Sequence, residues 1–337
     1  MAQIKKVTMR DIAKRANVSI NTVSLTLQDS NLVHPETKAR VLHVVQELGY
    51  APNVMAQNLR RGVVRMLGVM IPDTHNFHFW DIVAGVQDAA YQNGYGVVLT
   101  STSLNREIEL EALRGLLESR YAGVILATTY SEQFPPEMRD LLRRGGAVVT
   151  LGRTWDGADR VSYFREDAAE MLLDHLYALG HRRIGFLLGV AREGLANERL
   201  KAYQKFIARH QLVPLLEKCG PTIQDSHAAA SRLIARDPRP TAIMSVNDYL
   251  ALGVYRSIAE HGLKIPDDIS VAAFDNTMIG ENLYPAITSV DVGGRDIGRV
   301  SARLLFERLA DPKRPQQIVE MPARLVVRES TAPPRRA

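Results

Sequence analysis

A chain of 337 residues, nearly half of them apolar, can bury one large core and a small one besides, which excludes disorder. Its net charge of +5 resides in residues 1–62, where nine Lys and Arg face four Asp and Glu, while the remainder holds 33 bases and 33 acids; the excess positive charge lies where a polyanion would be met. The single cysteine, Cys219, excludes an internal disulfide and a multi-cysteine metal centre and is expected to pack; charges at Lys5 and Lys6, and no apolar run of about 18 residues, lead us to expect a cytoplasmic protein.

Residues 8–50 predict three short helices. Met9 to Ala16 puts Ile12, Ala13 and Ala16 on one face. Asn17 then stands where the chain must turn, a position that asks for positive φ and tolerates Asn next after Gly. Ser19 is placed to cap a second helix, INTVSLTL, with Val23 and Leu27 inward and Ile20, Asn21, Ser24, Leu25 and Gln28 outward. A third helix starts at Pro35 and ends at Gly49, with Val41, Leu42, Val45 and Leu48 on its buried side. On helix pattern alone, a generic three-helix bundle with a basic surface fits equally well. The segment 53–60, NVMAQNLR, has helical composition but is too short to be stable alone in water.

After Arg65 short apolar runs alternate with amphipathic stretches. The runs at 66–72, 95–101, 122–128, 146–152, 183–189, 241–246 and 269–275 read as buried parallel strands. Helices are expected between them, over Trp80 to Asn93, Arg106 to Arg120, Glu166 to Leu179, Asn197 to His210 and Tyr249 to His261. Such repeats mean doubly wound sheets, and their length exceeds a comfortable single core, so two subdomains are expected with a break near Arg160. The default ligand site is a cleft at the carboxyl ends of the strands. Neither phosphate-cradling glycine motif, G-x-G-x-x-G or G-x-x-x-x-G-K-[ST], follows a candidate strand; no H-E-x-x-H zinc site or G-x-S-x-G elbow occurs. Catalysis therefore has no support, and no cofactor or metal is expected.

The run from Val7 to Gly62 resembles the DNA-binding headpiece of the LacI/GalR family of bacterial transcription regulators, and the resemblance extends through the rest of the chain. It implies a small all-α helix-turn-helix headpiece (1–52), a hinge helix and linker (53–62), and an α/β, periplasmic-binding-protein-like sensor (63–330) made of two doubly wound parallel-sheet subdomains. These would comprise about 63–160 with 291–322, and about 161–290 with 323–330, before a polar tail at 331–337. It implies Ile20, Asn21 and Leu25 at base-reading positions, Ser19, Thr22, Ser24 and Gln28 near phosphates, and Thr8, Asn53 and Ala56 in the same DNA-binding set. Leu59 matches the hinge leucine that wedges into the minor groove. Two departures stand out. Leu25 replaces the family's usual Arg, exchanging a guanine contact for an apolar one, and His34 replaces a Ser cap.

In the sensor, Asn76-Phe77-His78-Phe79 resembles the family's first cleft loop, with His78 and Phe79 at contact positions; Trp80 suits core packing at least as well. Arg199, in NERLKAYQKF, matches the family's effector-binding arginine, and Asn247 and Asp275 match two polar cleft residues at strand ends. Asn and Asp also favour helix caps, a role open to Asp248. Gly152 and Tyr163-Phe164 depart from an acidic residue and an Asp-Asn pair in the family. The implied partners are operator DNA of near-palindromic sequence, a second copy in a homodimer, and a small effector. A carbohydrate or related polyol is favoured for that effector, and a purine stays open; a sugar-binding transport protein is the rival class, opposed by the basic headpiece. Repression with release by effector is the commoner family arrangement.

Overall fold

The computed structural model describes residues 7–27, 30–50, 64–128, 136–152, 155–163, 166–189 and 195–335. The chain forms two compact units, Met1–Val64 and Arg65–Ala337.

The first unit holds α1 (Met9–Ala16), α2 (Ile20–Leu27) and α3 (Pro35–Glu47). Thr8 opens α1 with a reciprocal cap: its backbone N–H and hydroxyl donate to Asp11 Oδ2 at 2.9 and 2.7 Å, and its Oγ1 accepts from the Asp11 amide. Asn17 ends the helix at φ 51°, in the left-handed region its amide side chain tolerates. Ser19 Oγ accepts the Thr22 amide at 3.0 Å and so starts α2. Pro35 opens α3, where His34 makes no side-chain cap bond, and Gly49 closes it at φ +59°.

Ile12, Ala13, Ala16, Val23, Val41 and Val44 form the core of this unit. Burial of Ile12, Val23 and Val41 contributes about 2 kcal/mol each. Leu42 corrects the expected α3 face, being 41% exposed. The buried stripe runs through residues 41, 44, 45 and 48, and Leu42 lies about 100° around the helix from Val41.

The second unit runs β1 (Val64–Ile71), α4 (Phe77–Gln92), β2 (Gly96–Ser101), α5 (Arg106–Glu118), β3 (Tyr121–Leu126), α6 (Pro136–Arg143), β4 (Ala147–Leu151) and β5 (Asp159–Ser162). It continues through α7 (Glu166–Ala178), β6 (Ile184–Gly189), α8 (Leu195–Arg209), β7 (Leu215–Cys219), α9 (Ile223–Ile234), β8 (Ala242–Met244), α10 (Asp248–Glu260) and β9 (Ser270–Phe274). It ends with α11 (Met278–Asn282), β10 (Thr288–Asp291), α12 (Gly294–Ala310), β11 (Ile318–Glu320) and β12 (Arg324–Val326). Two six-stranded sheets result, ordered β11-β5-β4-β3-β1-β2 and β12-β10-β9-β8-β6-β7. The recorded pairings are parallel except β10 with β12. The strand order reverses at β1 in one sheet and at β6 in the other, so both switch points open toward strand carboxyl ends.

The chain changes sheets after β5, after β10 and between β11 and β12. Residues 161 and 162, expected beyond the break, pair instead with β4 and β11 of the first sheet, because Asp159 anchors that strand. Its buried carboxylate accepts from Arg308 at 2.8 Å, Arg314 at 2.9 Å and the Gln317 amide at 2.8 Å, fastening α12 and the approach to β11 onto β5. Ionic hydrogen bonds hold Asp159 below the usual carboxylate range against the opposing cost of burial.

α12 returns to the first sheet and crosses α4 at two facing glycines. A Cβ on Gly85 would stand 2.0 Å from the Arg295 carbonyl oxygen, and one on Gly298 2.0 Å from that of Ile82. The polar tail is bonded to the body of the unit: Thr331 Oγ1 meets His175, the Ala332 carbonyl meets His181, and Arg335 pairs with Asp267 and Asp268. These bonds bind residues 331–335 to the second half of the unit. Cys219 is buried, as its apolar setting requires. Among the described residues no helix is long and apolar enough to cross a membrane.

Candidate functional site

In the first unit the outer side of α2 carries Ile20, 39% exposed, and exposed Asn21, with Ser24 and Leu25 half-buried beside them. Val23 and Thr26 turn inward. Ser19 and Thr22 place two hydroxyls 2.8 Å apart at the helix start, where backbone amides point outward. Thr8 is exposed at the start of α1. One basic residue of this unit is already engaged, since Arg15 donates to Glu47 at 2.7 Å. Gln28, Asn53, Ala56 and Leu59, with the whole of 53–62, lie outside the described residues.

In the second unit a polar cluster forms where strands of both sheets end. Arg199, on α8, lies over the Phe274 ring with its guanidinium carbon 3.9 Å from the centroid. Its Nη1 donates to the Val246 carbonyl at 2.6 Å, and its Nη2 stands 3.8 Å from Asp275 Oδ1. Burial lowers the Arg199 pKa and the Asp275 charge opposes that shift; the side chain stays a cation.

Asn76 reaches this cluster from the end of β1. As the N-cap of α4 it accepts the His78 amide at 3.0 Å, while its Nδ2 donates to Asp275 Oδ2 at 3.1 Å, joining elements that follow strands of different sheets. His78 is buried, its ring 5.3 Å from that of Tyr163 and 5.4 Å from that of Phe79. Desolvation lowers the His78 pKa and outweighs the opposing pull of Asp275, so the imidazole is neutral. Tyr163, at the end of β5, is buried and held firmly protonated by desolvation, then by the nearby Asp275 charge.

His78, Arg199 and Asp275 are thus brought together, while Asn247 and Phe79 play local roles. Asn247 Oδ1 accepts the Leu250 amide at 2.8 Å as the N-cap of α10, and Asp248, a possible cap by sequence, lies inside the helix instead. Phe79 packs in the core cluster with Ile82 and Val83 and is not a free stacking face. Trp80 corrects the core expectation in the opposite direction: it is 42% exposed, and its indole N–H donates to the Thr74 carbonyl at 2.9 Å. Asn76, Tyr163 and Phe274 belong to the cluster too, and the sequence alone gives them no contact role. Their signals are an Asn preceding a helix, an aromatic replacing a polar pair, and an aromatic adjoining a candidate acid.

An arginine, a carboxylate and neutral ring groups at strand ends are the donor, acceptor and apolar elements that a polar organic ligand requires. Residues 8–53 match the bacterial regulatory proteins of the lacI family, and residues 173–331 match a periplasmic binding protein-like domain. The chain is 28% identical over 334 residues to the HTH-type transcriptional repressor PurR of Vibrio campbellii, covering 96% of this chain and 98% of that one. It is 30% identical over 333 residues to catabolite control protein A of Priestia megaterium, covering 96% and 99%. It is also similar to the Lac repressor dimer bound to operator and the anti-inducer ONPF, with a TM-score of 0.82 and 27% identity over 97% of this chain and 100% of that one. The match of the helix-turn-helix unit, together with full-length relatives that are transcription regulators, shows a DNA-binding transcription regulator. The chain belongs to the LacI family, whose members here are regulators and not enzymes.

Proposed function

We propose that the protein is a dimeric repressor that reads a near-palindromic operator and responds to a small polyol, most simply a carbohydrate, held by Arg199 and Asp275. Ile20, Asn21 and Leu25 meet base edges from the outer side of α2, and Ser19, Thr22 and Ser24 meet phosphates. Leu25 offers a thymine methyl an apolar partner, so its half-site differs from that of a protein with arginine there. Exposed apolar residues on the sensor, Met278 at 62% and Tyr284 at 97%, support self-association, as does the dimeric state of the Lac repressor neighbour.

The observation that carries the effector reading is the Arg199–Asp275 pair. A ligand hydroxyl donates to the carboxylate and accepts from the guanidinium, satisfying both, whereas a carboxylate ligand would meet Asp275 as a like charge. The buried Phe274 and Tyr163 rings, the first under Arg199 and the second against His78, form an apolar backing behind the pair. A thermal-shift screen of the full chain against mono- and disaccharides, polyols and purines tests this. The expected result is a carbohydrate or polyol that raises Tm and loses that effect in Arg199→Ala. A response to purines alone would replace the polyol by a planar base, and a response undiminished in Arg199→Ala would remove the cluster as the site.

A further inference from the structure

Asp275, whose carboxylate stands 3.8 Å from Arg199, opens an unusual backbone bend. Asp275 has φ 94° and Asn276 φ 50°, two consecutive non-glycine residues on the positive side of φ, each a conformation that persists only where surrounding contacts enforce it. Those contacts converge on one buried acid. Asp248, inside α10, accepts the Thr277 amide at 2.6 Å and the Thr277 hydroxyl at 3.1 Å on Oδ2. On Oδ1 it accepts the Ser289 hydroxyl at 2.7 Å, and Ser289 Oγ in turn accepts the Asn276 amide at 3.1 Å. Both amides following Asp275 are therefore tied to one carboxylate, one directly and one through a hydroxyl. Arg328 braces the outside by donating to Asn276 Oδ1 at 2.7 Å.

We propose that Asp248 is the positioning residue of the Arg199–Asp275 pair, its carboxylate fixing the bend that aims Asp275 at the guanidinium. Its significance for effector binding rests on the reading given above; the geometry does not. The charged and titratable groups that face Asp248 are Asp275 beyond β9, Arg199 on α8 and Tyr255 on α10, and Gly280 on α11 closes over the carboxylate, where a Cβ would stand 2.9 Å from Oδ2. Burial pushes the Asp248 pKa up to about 7, with Asp275 adding to the rise and the Ser289 and Thr277 bonds opposing it. Protonation reverses one bond in the relay. The carboxyl O–H would donate to Ser289 Oγ, the Ser289 proton loses its acceptor, the Thr277 bonds lose their ionic partner, and the grip on the bend weakens near neutral pH.

The test needs no effector. The full-length protein is treated with phenylglyoxal, and modification of Arg199 is measured by peptide mass mapping relative to Arg232 on α9, across pH 6.5 to 8.5. Wild type is expected to show a low Arg199 ratio at the alkaline end that climbs several-fold toward the acidic end. Asp248→Asn should give a high ratio that varies little with pH, and Ser289→Ala, which cuts only the relay to Asn276, should lie between. A folded-state pKa above the unfolded value makes the ionised acid destabilising at high pH, so Asp248→Asn should also raise Tm at pH 8.5. General loosening would raise reactivity and lower Tm together. Equal Arg199 ratios in all three proteins, or a rise seen only with a lowered Tm, would overturn the proposal. A failed effector screen would leave this result standing, so the two readings fail separately.

Discussion

Arg199 Nη2 and Asp275 Oδ1 stand 3.8 Å apart, and their side chains are only 14% and 4% exposed. Neither group is fully matched by the other at that distance, yet both have left bulk water, and each retains a second partner in Val246 or Asn76. Truncating one leaves the other charge poorly compensated. Arg199→Ala is expected to lower stability by about 2 kcal/mol, a typical value for hydrogen bonds to charged groups. The check is a urea titration followed through Trp155, which is 6% exposed and dims or shifts when the first sheet opens. An unchanged midpoint would mean that the pair is not closed in solution.

The crossing of α4 and α12 makes a contrast between two glycines. Gly298→Ala places a methyl 2.0 Å from the Ile82 carbonyl oxygen, backbone that has no side-chain freedom to yield, and is expected to cost about 3 kcal/mol or prevent folding. Gly115 on α5 has nothing within 4 Å of a built Cβ, so Gly115→Ala should stabilise by about 0.5 to 1 kcal/mol. Denaturation midpoints of the two variants should move in opposite directions.

For the headpiece, Asn17 at φ 51° sets the turn between α1 and α2. Asn17→Gly is expected to be tolerated, whereas Asn17→Val forces a β-branched residue into the left-handed region at a cost of about 1 to 2 kcal/mol. Limited proteolysis of the full chain reads this as faster cleavage within residues 8–50 for the valine variant alone.

Acid sensitivity should trace partly to His181. Its Nε2 donates to the Ala332 carbonyl at 2.9 Å, which leaves Nδ1 to accept from the Thr241 hydroxyl at 3.0 Å, and desolvation lowers its pKa to about 4. With the folded pKa below the unfolded one, the unfolded state binds the proton first. The stability His181 confers is present above about pH 6.5 and is lost as pH falls toward 4. Tm should therefore decline over that window, and His181→Asn should flatten the decline. A parallel decline in the variant would assign the acid sensitivity elsewhere.

The legible parts of this fold were those whose information is local. Apolar runs disclosed β1 to β4, β6, β8 and β9, and the cap at Ser19, the turn at Asn17 and the closing Gly49 are all encoded by single residues. β5 escapes because its sequence, DRVS, opens on two charges, and the buried Asp159 becomes favourable only when Arg308 and Arg314 arrive from far along the chain. β7, β11 and β12 are edge strands with mixed composition, and nothing within three to five residues distinguishes them from loops. The same limit applies to the site. Arg199 and Asp275 were found through family resemblance, but the Asn76–Asp275 bond spans 199 residues and the role of Asp248 depends on Ser289, 41 residues away.

Every functional role proposed for this chain depends on its reading a specific two-fold DNA sequence. Selection of duplexes from a random library by the full-length protein at physiological salt tests it most directly. A near-palindrome with two inverted half-sites should be enriched, and the preference within each half-site should change when Leu25 is replaced by Arg. Binding that stays indifferent to sequence while weakening with salt would contradict it, leaving only a basic headpiece attracted to polyanions.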